Sequence, residues 1–324
     1  MNSTDTHSTD TACAVIVTFN GKVSVGGLLP ELDAALDEGL LNHIIVIDNG
    51  SSDGTPQLLG SWAGGRDDIT LELRDDNVGF PRAVNAGLRR AQTTYVALLN
   101  PDVSKIRASL RTCLDQLRND LAVGLCGPRL VMPDGRLQVE SARRLPGAWS
   151  LALQVMGISR FHNGYRRWRI AAATKPRDVR ALSGAFIVAR SQQLRGLGGL
   201  DERLFMYLED VSLCRVVRES GLRLVCVPEV AAHECGASRQ TLTGTQHRVL
   251  DCLIGEVPWL LSRDAGRAWS CRIISLLTFI LGLEYVIFPG RSSRTGVDLL
   301  RWSVSTKPLY VGWTPSFAVS ERTA

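Results

Sequence analysis

The first hundred residues alternate between continuous apolar, β-branched runs and segments of helical spacing. Ala12–Phe19 (ACAVIVTF) is such a run and stops at Asn20 and Gly21, which predicts a fully buried parallel strand followed by a turn. The same grammar then repeats: a helix to about Glu38, a strand His43–Asp48, a loop to Thr55 with a short helix, a strand Ile69–Arg74, a helix Phe80–Ala91 and a strand Tyr95–Asn100. Strands separated by one helix each predict an α/β fold. Its central sheet is expected to be mainly parallel, with helices on both faces and ligands held beyond the carboxyl ends of the strands.

From Cys126 to Arg180 the pattern loosens into Gly/Pro-punctuated sequence with Trp149, Phe161, Tyr165 and Trp168, which reads as loops covering a site. Regular structure resumes with the apolar run Ala185–Val188, the turn Gly196–Gly199, a helix Leu208–Ser220 and a strand Leu222–Val227, with His233 reached by a short loop. Near the C-terminus, Ile273–Pro289 is almost continuously apolar but contains Glu284. About 18 to 20 clean residues are usually needed to span a bilayer, so this segment reads as a buried helix or an interfacial anchor.

Composition adds little beyond an ordinary globular chain, with 45% apolar and 21% charged residues and a net charge of +5. One stretch differs. From Arg143 to Arg180 nine Lys/Arg stand against the single acid Asp178, a field suited to phosphates or a membrane surface, although a solvated basic loop explains it equally well. The eight cysteines include no C-x-x-C pair, which fits buried thiols in a reducing compartment. The N-terminal MNSTDTHSTDT has no apolar stretch and reads as a disordered tail, so a cytoplasmic chain is expected.

The polar residues cluster where the strands end. Thr18 and Asn20 follow the first strand, Asp48-Asn49-Gly50-Ser51-Ser52-Asp53-Gly54 the second, Asp75-Asp76-Asn77 the third, and Asn100-Pro101-Asp102 the fourth. Turn and capping chemistry accounts for any one of these loops, but four of them converging on one sheet edge argue for a site. Farther along, Glu209 and Asp210 open a helix, where the macrodipole favours one acid. Their approach through Phe205, Met206 and Tyr207 is of the kind that moves a carboxylate toward the range useful for a base. A lone His233 is more often structural. Paired in space with Asp102 it would complete a divalent-metal site that also takes diphosphate oxygens, its imidazole favouring Mn2+ somewhat over Mg2+.

Several strings together resemble family 2 glycosyltransferases. They are Asp48 to Thr55, Asn77-Val78-Gly79-Phe80 with Asn85, Asn100-Pro101-Asp102-Val103, Ser183-Gly184-Ala185, Gly198 to Glu202, and Phe205-Met206-Tyr207-Leu208-Glu209-Asp210. The likeness covers about residues 12–239. Within the family it most resembles bacterial rhamnosyltransferases, especially those adding L-rhamnose to N-acetylglucosaminyl-diphospho-polyprenol. The resemblance implies a GT-A fold over 12–240, with nucleotide-sugar binding in 12–130 and acceptor binding and catalysis in 131–240, followed by a helical C-terminal extension over 241–324.

It also implies roles. Asp48 would bond the donor's pyrimidine base, Thr18, Asn20 and Asn77 would line the nucleotide pocket, and Asn49, Gly79, Asn85 and Asn100 would complete the donor set. Asp102 and His233 would hold Mg2+ or Mn2+. Asp210, with Glu209 beside it, would be the general base of an inverting transfer. Arg143 and Arg144 would hold the acceptor, a glycan or a polyprenyl-diphosphate-linked sugar at the inner membrane face, and no nucleic-acid partner is expected.

Asn100 stands where many relatives carry the first acid of D-x-D, and one carboxylate fewer means a weaker metal site. The Q-x-x-R-W string of processive synthases is absent, which implies addition of a single sugar. A dinucleotide oxidoreductase is disfavoured because no G-x-G-x-x-G follows the first strand. A nucleotidyltransferase would be expected to carry a Gly-rich basic loop there. A non-catalytic binding relative and a different donor, such as a UDP-hexose, stay open.

Overall fold

The computed structural model describes residues 10–138, 141–143, 174–202, 204, 206 and 209–234. The Arg144 side of the basic stretch, Phe205, Tyr207, the 273–289 segment and the whole 241–324 extension lie outside these residues. The named elements all fall in one compact unit.

The first half follows the apolar pattern closely: β1 (Ala12–Thr18), α1 (Lys22–Asp37), β2 (His43–Asp48), α2 (Thr55–Ala63), β3 (Ile69–Leu73), α3 (Phe80–Arg90) and β4 (Tyr95–Leu99). Then come β5 (Val103–Ser104), α4 (Ile106–Asn119), β6 (Val123–Val131), β7 (Ala142–Arg143), β8 (Arg177–Val179), β9 (Ala181–Leu182), β10 (Phe186–Arg190), α5 (Ser191–Gly196), α6 (Glu209–Glu219) and β11 (Arg223–His233). One nine-stranded sheet runs β3-β2-β1-β4-β10-β6-β11-β5, with β8 also paired to β11, and β7 and β9 form a separate two-stranded sheet.

Alternating residues of the strands feed two cores. Ala14, Ile16, Ile44, Val46, Ala97 and Leu99 face α1, α2 and α4, where Leu28, Leu32, Leu59, Ile106, Leu110 and Leu114 cover them. Val15, Val17, Ile45, Ile47, Val96 and Leu98 face α3, α5 and α6, covered by Val84, Leu88, Leu194, Leu213 and Val217. Helices therefore lie on both faces, and the period of two within strands decides which residue enters which core.

The sheet is parallel from β3 through β4. Beyond β4 it is mixed: β10 runs antiparallel to both β4 and β6, while β11 is parallel to β6 and antiparallel to β5 and β8. A parallel neighbour to β4 would need a crossover helix leading into it. No helix separates β9 from β10, and β10 starts at the edge where β4 finishes, with the Asn100 amide donating to the Ala185 carbonyl at 2.9 Å.

Two expectations need correcting. The loosened stretch begins later than Cys126, because β6 continues to Val131. The last strand does not stop at Val227. Pro228 offers no amide, and the β6–β11 register slips between Cys226 and Val230, yet pairing resumes at Val230 and carries β11 to His233 itself. Among the described residues no helix is long and apolar enough to cross a membrane.

Candidate active site

The topology brings the carboxyl ends of β1, β2, β3 and β4 to one edge, and the loops there are cross-bonded. Asp48, fully buried at the end of β2, accepts from the Ser51 amide (3.0 Å) and hydroxyl (2.6 Å). Ser51 Oγ in turn accepts from the Asn20 amide at 2.8 Å, and Asn20 Oδ1 accepts from the Ser52 amide at 2.8 Å. Asn20 adopts φ 47°, a left-handed conformation that asparagine tolerates better than most residues. These bonds tie the β1 loop to the β2 loop.

A second set ties the β2 loop to the β3 loop. Asn49 Nδ2 donates to Asn77 Oδ1 (2.7 Å), the Val78 amide donates to Asn49 Oδ1 (3.3 Å), and the Gly79 amide donates to Asn77 Oδ1 (3.0 Å). Gly50 makes the approach possible. Its φ of +86° disfavours any side chain, and a Cβ there would sit 2.9 Å from the Asp76 carbonyl carbon. The carboxylate of Asp48 keeps acceptor capacity beyond its two bonds, since it offers about four lone-pair sites. Thr18 Oγ1 is buried beneath Gly21 and has no hydrogen-bond partner among the described residues. A buried hydroxyl in that state is a polar group a ligand can satisfy.

Asn85 does different work. Its Nδ2 donates to the Leu200 carbonyl (2.8 Å) and Glu202 Oε1 (3.0 Å), and its Oδ1 accepts from the Leu200 amide (2.9 Å). The side chain thus fastens the 198–202 loop to α3.

Asp102 and His233 come together across the β5–β11 pair, where Val103 lies opposite His233. His233 Nε2 stands 3.3 Å from Asp102 Oδ1, both side chains being nearly excluded from solvent, and the Glu234 amide donates to the Asp102 carbonyl at 3.1 Å. On the far side of the ring, Nδ1 lies 2.9 Å from Gln138 Oε1. A carboxylate oxygen and an imidazole nitrogen side by side are a donor set suited to Mn2+ or Mg2+, the remaining positions falling to oxygens from elsewhere. Asn100 lies beside them at the end of β4 and bonds through its backbone. Among the described residues no group of three or more His, Cys, Asp or Glu is arranged to hold a metal, so these two side chains are the candidate ligands those residues offer.

Glu209 and Asp210 open α6 and are both buried. Asp210 is held twice, its Oδ2 accepting from the Gly184 amide (2.9 Å) and its Oδ1 from the Val211 amide (2.7 Å). Gly184 precedes β10, so this carboxylate reaches the same edge as Asn100 and Asp102. Of the residues expected at the acceptor side, Arg143 lies in β7 opposite Ala181, and Arg144 is not among the described residues. Sequence reading missed Gln138 and the Gly184–Asp210 bond, both of which depend on tertiary contact.

The thiols are consistent with inert packing. Among the described residues, Cys13, Cys113, Cys126, Cys214 and Cys226 are buried thiols. Burial pushes Cys13 up to about 11 and Cys226 up to about 12, and raises Cys113 well above its ordinary value.

Known proteins share this sequence pattern and fold. The family described as Glycosyl transferase family 2 matches residues 13–189. An N-acetylglucosaminyl-diphospho-decaprenol L-rhamnosyltransferase of Mycobacterium tuberculosis (strain ATCC 25618 / H37Rv) is 27% identical over 261 residues, 74% of this chain and 82% of that protein. A pre-mycofactocin glycosyltransferase of the same organism is 30% identical over 194 residues, 59% of this chain and 37% of that protein. Among solved structures, a mannosyltransferase from Pyrobaculum calidifontis in complex with GDP-Man and Mn2+ superposes with a TM-score of 0.56 at 16% identity, covering 96% of this chain and 78% of its own.

Proposed function

The chain belongs to glycosyl transferase family 2, and from that premise we propose that it moves one L-rhamnose from dTDP-L-rhamnose, with inversion, to a lipid-linked glycan acceptor. The process would be cell-wall or surface-polysaccharide synthesis, at the cytoplasmic face of the membrane. Support for the sugar and the acceptor comes from the rhamnosyltransferase of Mycobacterium tuberculosis, aligned over most of both chains.

The observation that carries the chemistry is the placement of Asp102 with His233 and of Asp210 with Gly184 at one sheet edge. Asp210 takes the proton of an acceptor hydroxyl as that oxygen bonds to the anomeric carbon. The bond from that carbon to the diphosphate breaks on the opposite face, and dTDP departs. The two amides on Asp210 leave it little freedom to turn, which favours one attack geometry. Asp48, Asn20 and Thr18 would meet the base and ribose, and the loop bonds through Asn49 and Asn77 hold that wall. Asp102 and His233 would hold a divalent cation, which when bound offsets the charge gathering on a departing diphosphate. Arg143 and Arg144 supply positive charge for the acceptor's diphosphate.

The test is transfer and donor hydrolysis by the purified protein across dTDP-, UDP- and GDP-sugars, with and without Mn2+ or Mg2+, beside Asp210→Asn. Turnover of dTDP-L-rhamnose that needs metal and is lost in Asp210→Asn supports the reading. Turnover of a UDP- or GDP-sugar alone replaces the donor, and absence of nucleotide-sugar binding sinks the proposal.

A further inference from the structure

The sequence motifs leave Gln138 without a role, yet its side chain is held at three contacts. It is 4% exposed and sits behind the imidazole of His233. After β6 the chain folds back through a tight turn, with the Gly135 amide donating to the Met132 carbonyl and the Met132 amide to the Arg136 carbonyl, both at 2.8 Å. The Gln138 amide then donates to the Leu130 carbonyl at 2.8 Å. Ser141 locks the return: its hydroxyl donates to the Gln138 carbonyl (2.6 Å) and accepts from the Leu130 amide (2.8 Å). These bonds fix the backbone from which Gln138 projects.

The amide orientation follows from its neighbours. Nε2 lies 2.7 Å from the His233 carbonyl and 3.1 Å from Met132 Sδ, two groups that only accept, so the NH2 group must face them. Oε1 is then left facing His233 Nδ1 at 2.9 Å, and that contact is a hydrogen bond only if Nδ1 carries the proton. In the neutral ring the lone pair consequently belongs to Nε2, which faces Asp102 Oδ1 at 3.3 Å. An acceptor nitrogen beside a carboxylate oxygen is unfavourable by itself and favourable around a cation.

We propose that Gln138 is a positioning residue. It holds His233 as the Nδ1–H tautomer and turns Nε2 toward Asp102, and so sets how tightly the Asp102–His233 pair takes Mn2+. The inference rests on the metal reading above. The same geometry makes Gln138 a double tether, because one side chain grips both the ring and the backbone carbonyl of His233. Among the described residues the pair offers one carboxylate beside the imidazole, and Asn100 supplies no charge, so the orientation of the imidazole carries more of the affinity than it would in an acid-rich site.

Two substitutions separate the orienting bond from the strut. Gln138→Met and Gln138→Glu both lose the donation to the His233 carbonyl, but Glu keeps an oxygen for Nδ1–H. The tautomer is read without metal by 15N NMR of the ring nitrogens at a pH where the ring is neutral. Signals of the five histidines are assigned by difference with His233→Asn. Mn2+ affinity is read by EPR of free Mn2+ in the presence of dTDP, and thermal melts confirm that the variants fold.

The expected result is Nδ1–H in the wild type and in Gln138→Glu, and mixed tautomers in Gln138→Met. Mn2+ affinity is expected to be about 10- to 100-fold weaker in Met and near wild type in Glu. A wild-type Nε2–H tautomer overturns the inference, as does equal Mn2+ affinity in all three proteins or an equal loss in both variants. Wild-type protein with the Nδ1–H tautomer but no Mn2+ binding instead overturns the metal reading on which the inference rests.

Discussion

Replacing Gly184 by alanine adds one methyl group at the point where the backbone touches the candidate base. The new Cβ would lie 3.0 Å from Asp210 Cβ and 3.6 Å from its Cγ and Oδ2. Carbon atoms pack best at about 3.5–4.0 Å, so Asp210 or the 183–185 loop must yield by roughly 0.5–1 Å. The backbone of Gly184 is not in the left-handed region, and the perturbation is therefore steric rather than conformational. What yields is the 2.9 Å bond from the Gly184 amide to Oδ2, which holds the carboxylate in place.

A general base contributes about 10²- to 10⁴-fold, and a misplacement near 1 Å can cost about 10²-fold. For Gly184→Ala we expect kcat to fall about 10- to 100-fold with the donor KM within about twofold, as for an interaction made in the transition state. The decisive assay is a cycle of single-turnover transfer rates for wild type, Gly184→Ala, Asp210→Asn and the double variant. If the methyl acts through the carboxylate, it costs little once Asp210 is Asn. Wild-type kcat in Gly184→Ala, or an undiminished loss in the Asp210→Asn background, refutes the reasoning.

Three further outcomes are expected. Asn85→Ala removes three bonds to the 198–202 loop and leaves the Leu200 amide and carbonyl unpaired; unfolding should show a loss of about 2–3 kcal/mol, or roughly 3–5 °C in Tm, and an unchanged melt would remove its fastening role. Gly50→Ala meets both a positive φ and the Asp76 backbone, and calorimetry should show dTDP binding weakened more than the about 1–2 kcal/mol lost in stability. The thiols of Cys13, Cys113 and Cys226 have raised values, Cys13 to about 11 and Cys226 to about 12, so the reactive thiolate is scarce below those values and grows only as pH rises through them. Peptide mapping after labelling of the native protein at pH 8 should find all three unmodified, and ready labelling of any would contradict its burial.

The parallel half of the fold was legible because strands buried on both faces need unbroken apolar runs. His43–Asp48 was read with both ends correct, and β1, β3, α3 and β4 within a residue. The helix α4 also carried a readable signal, with Ile106, Leu110, Cys113, Leu114 and Leu117 at helical spacing. Beyond that, what mattered was long-range. Pro228 looks like the end of a strand in sequence, and only the resumed pairing with β6 reveals that β11 continues to His233.

Site residues divide in the same way. Asp48, Asn49, Asn77 and Asp102 announce themselves because they follow strands of a parallel sheet. Asn85 is polar in the middle of an amphipathic helix, and its contacts with Leu200 and Glu202 lie more than a hundred positions away. Gln138 had no local signal at all, since its meaning comes from a histidine 95 residues downstream.

The pairing of β5 with β11 bears on how this site can change. Val103 opposite His233 and Ser104 opposite Ala232 are set by main-chain bonds, and so is the link from the Glu234 amide to the Asp102 carbonyl. The distance between positions 102 and 233 is consequently written in the backbone and not in the side chains that occupy them. Exchanging Asp102 for Glu or Asn, or His233 for Asp or Gln, would vary the charge, hardness and reach of the pair while the backbone separation stays nearly constant. Under the metal reading proposed above, a small library at these two positions would be an experiment in coordination chemistry on a fixed frame.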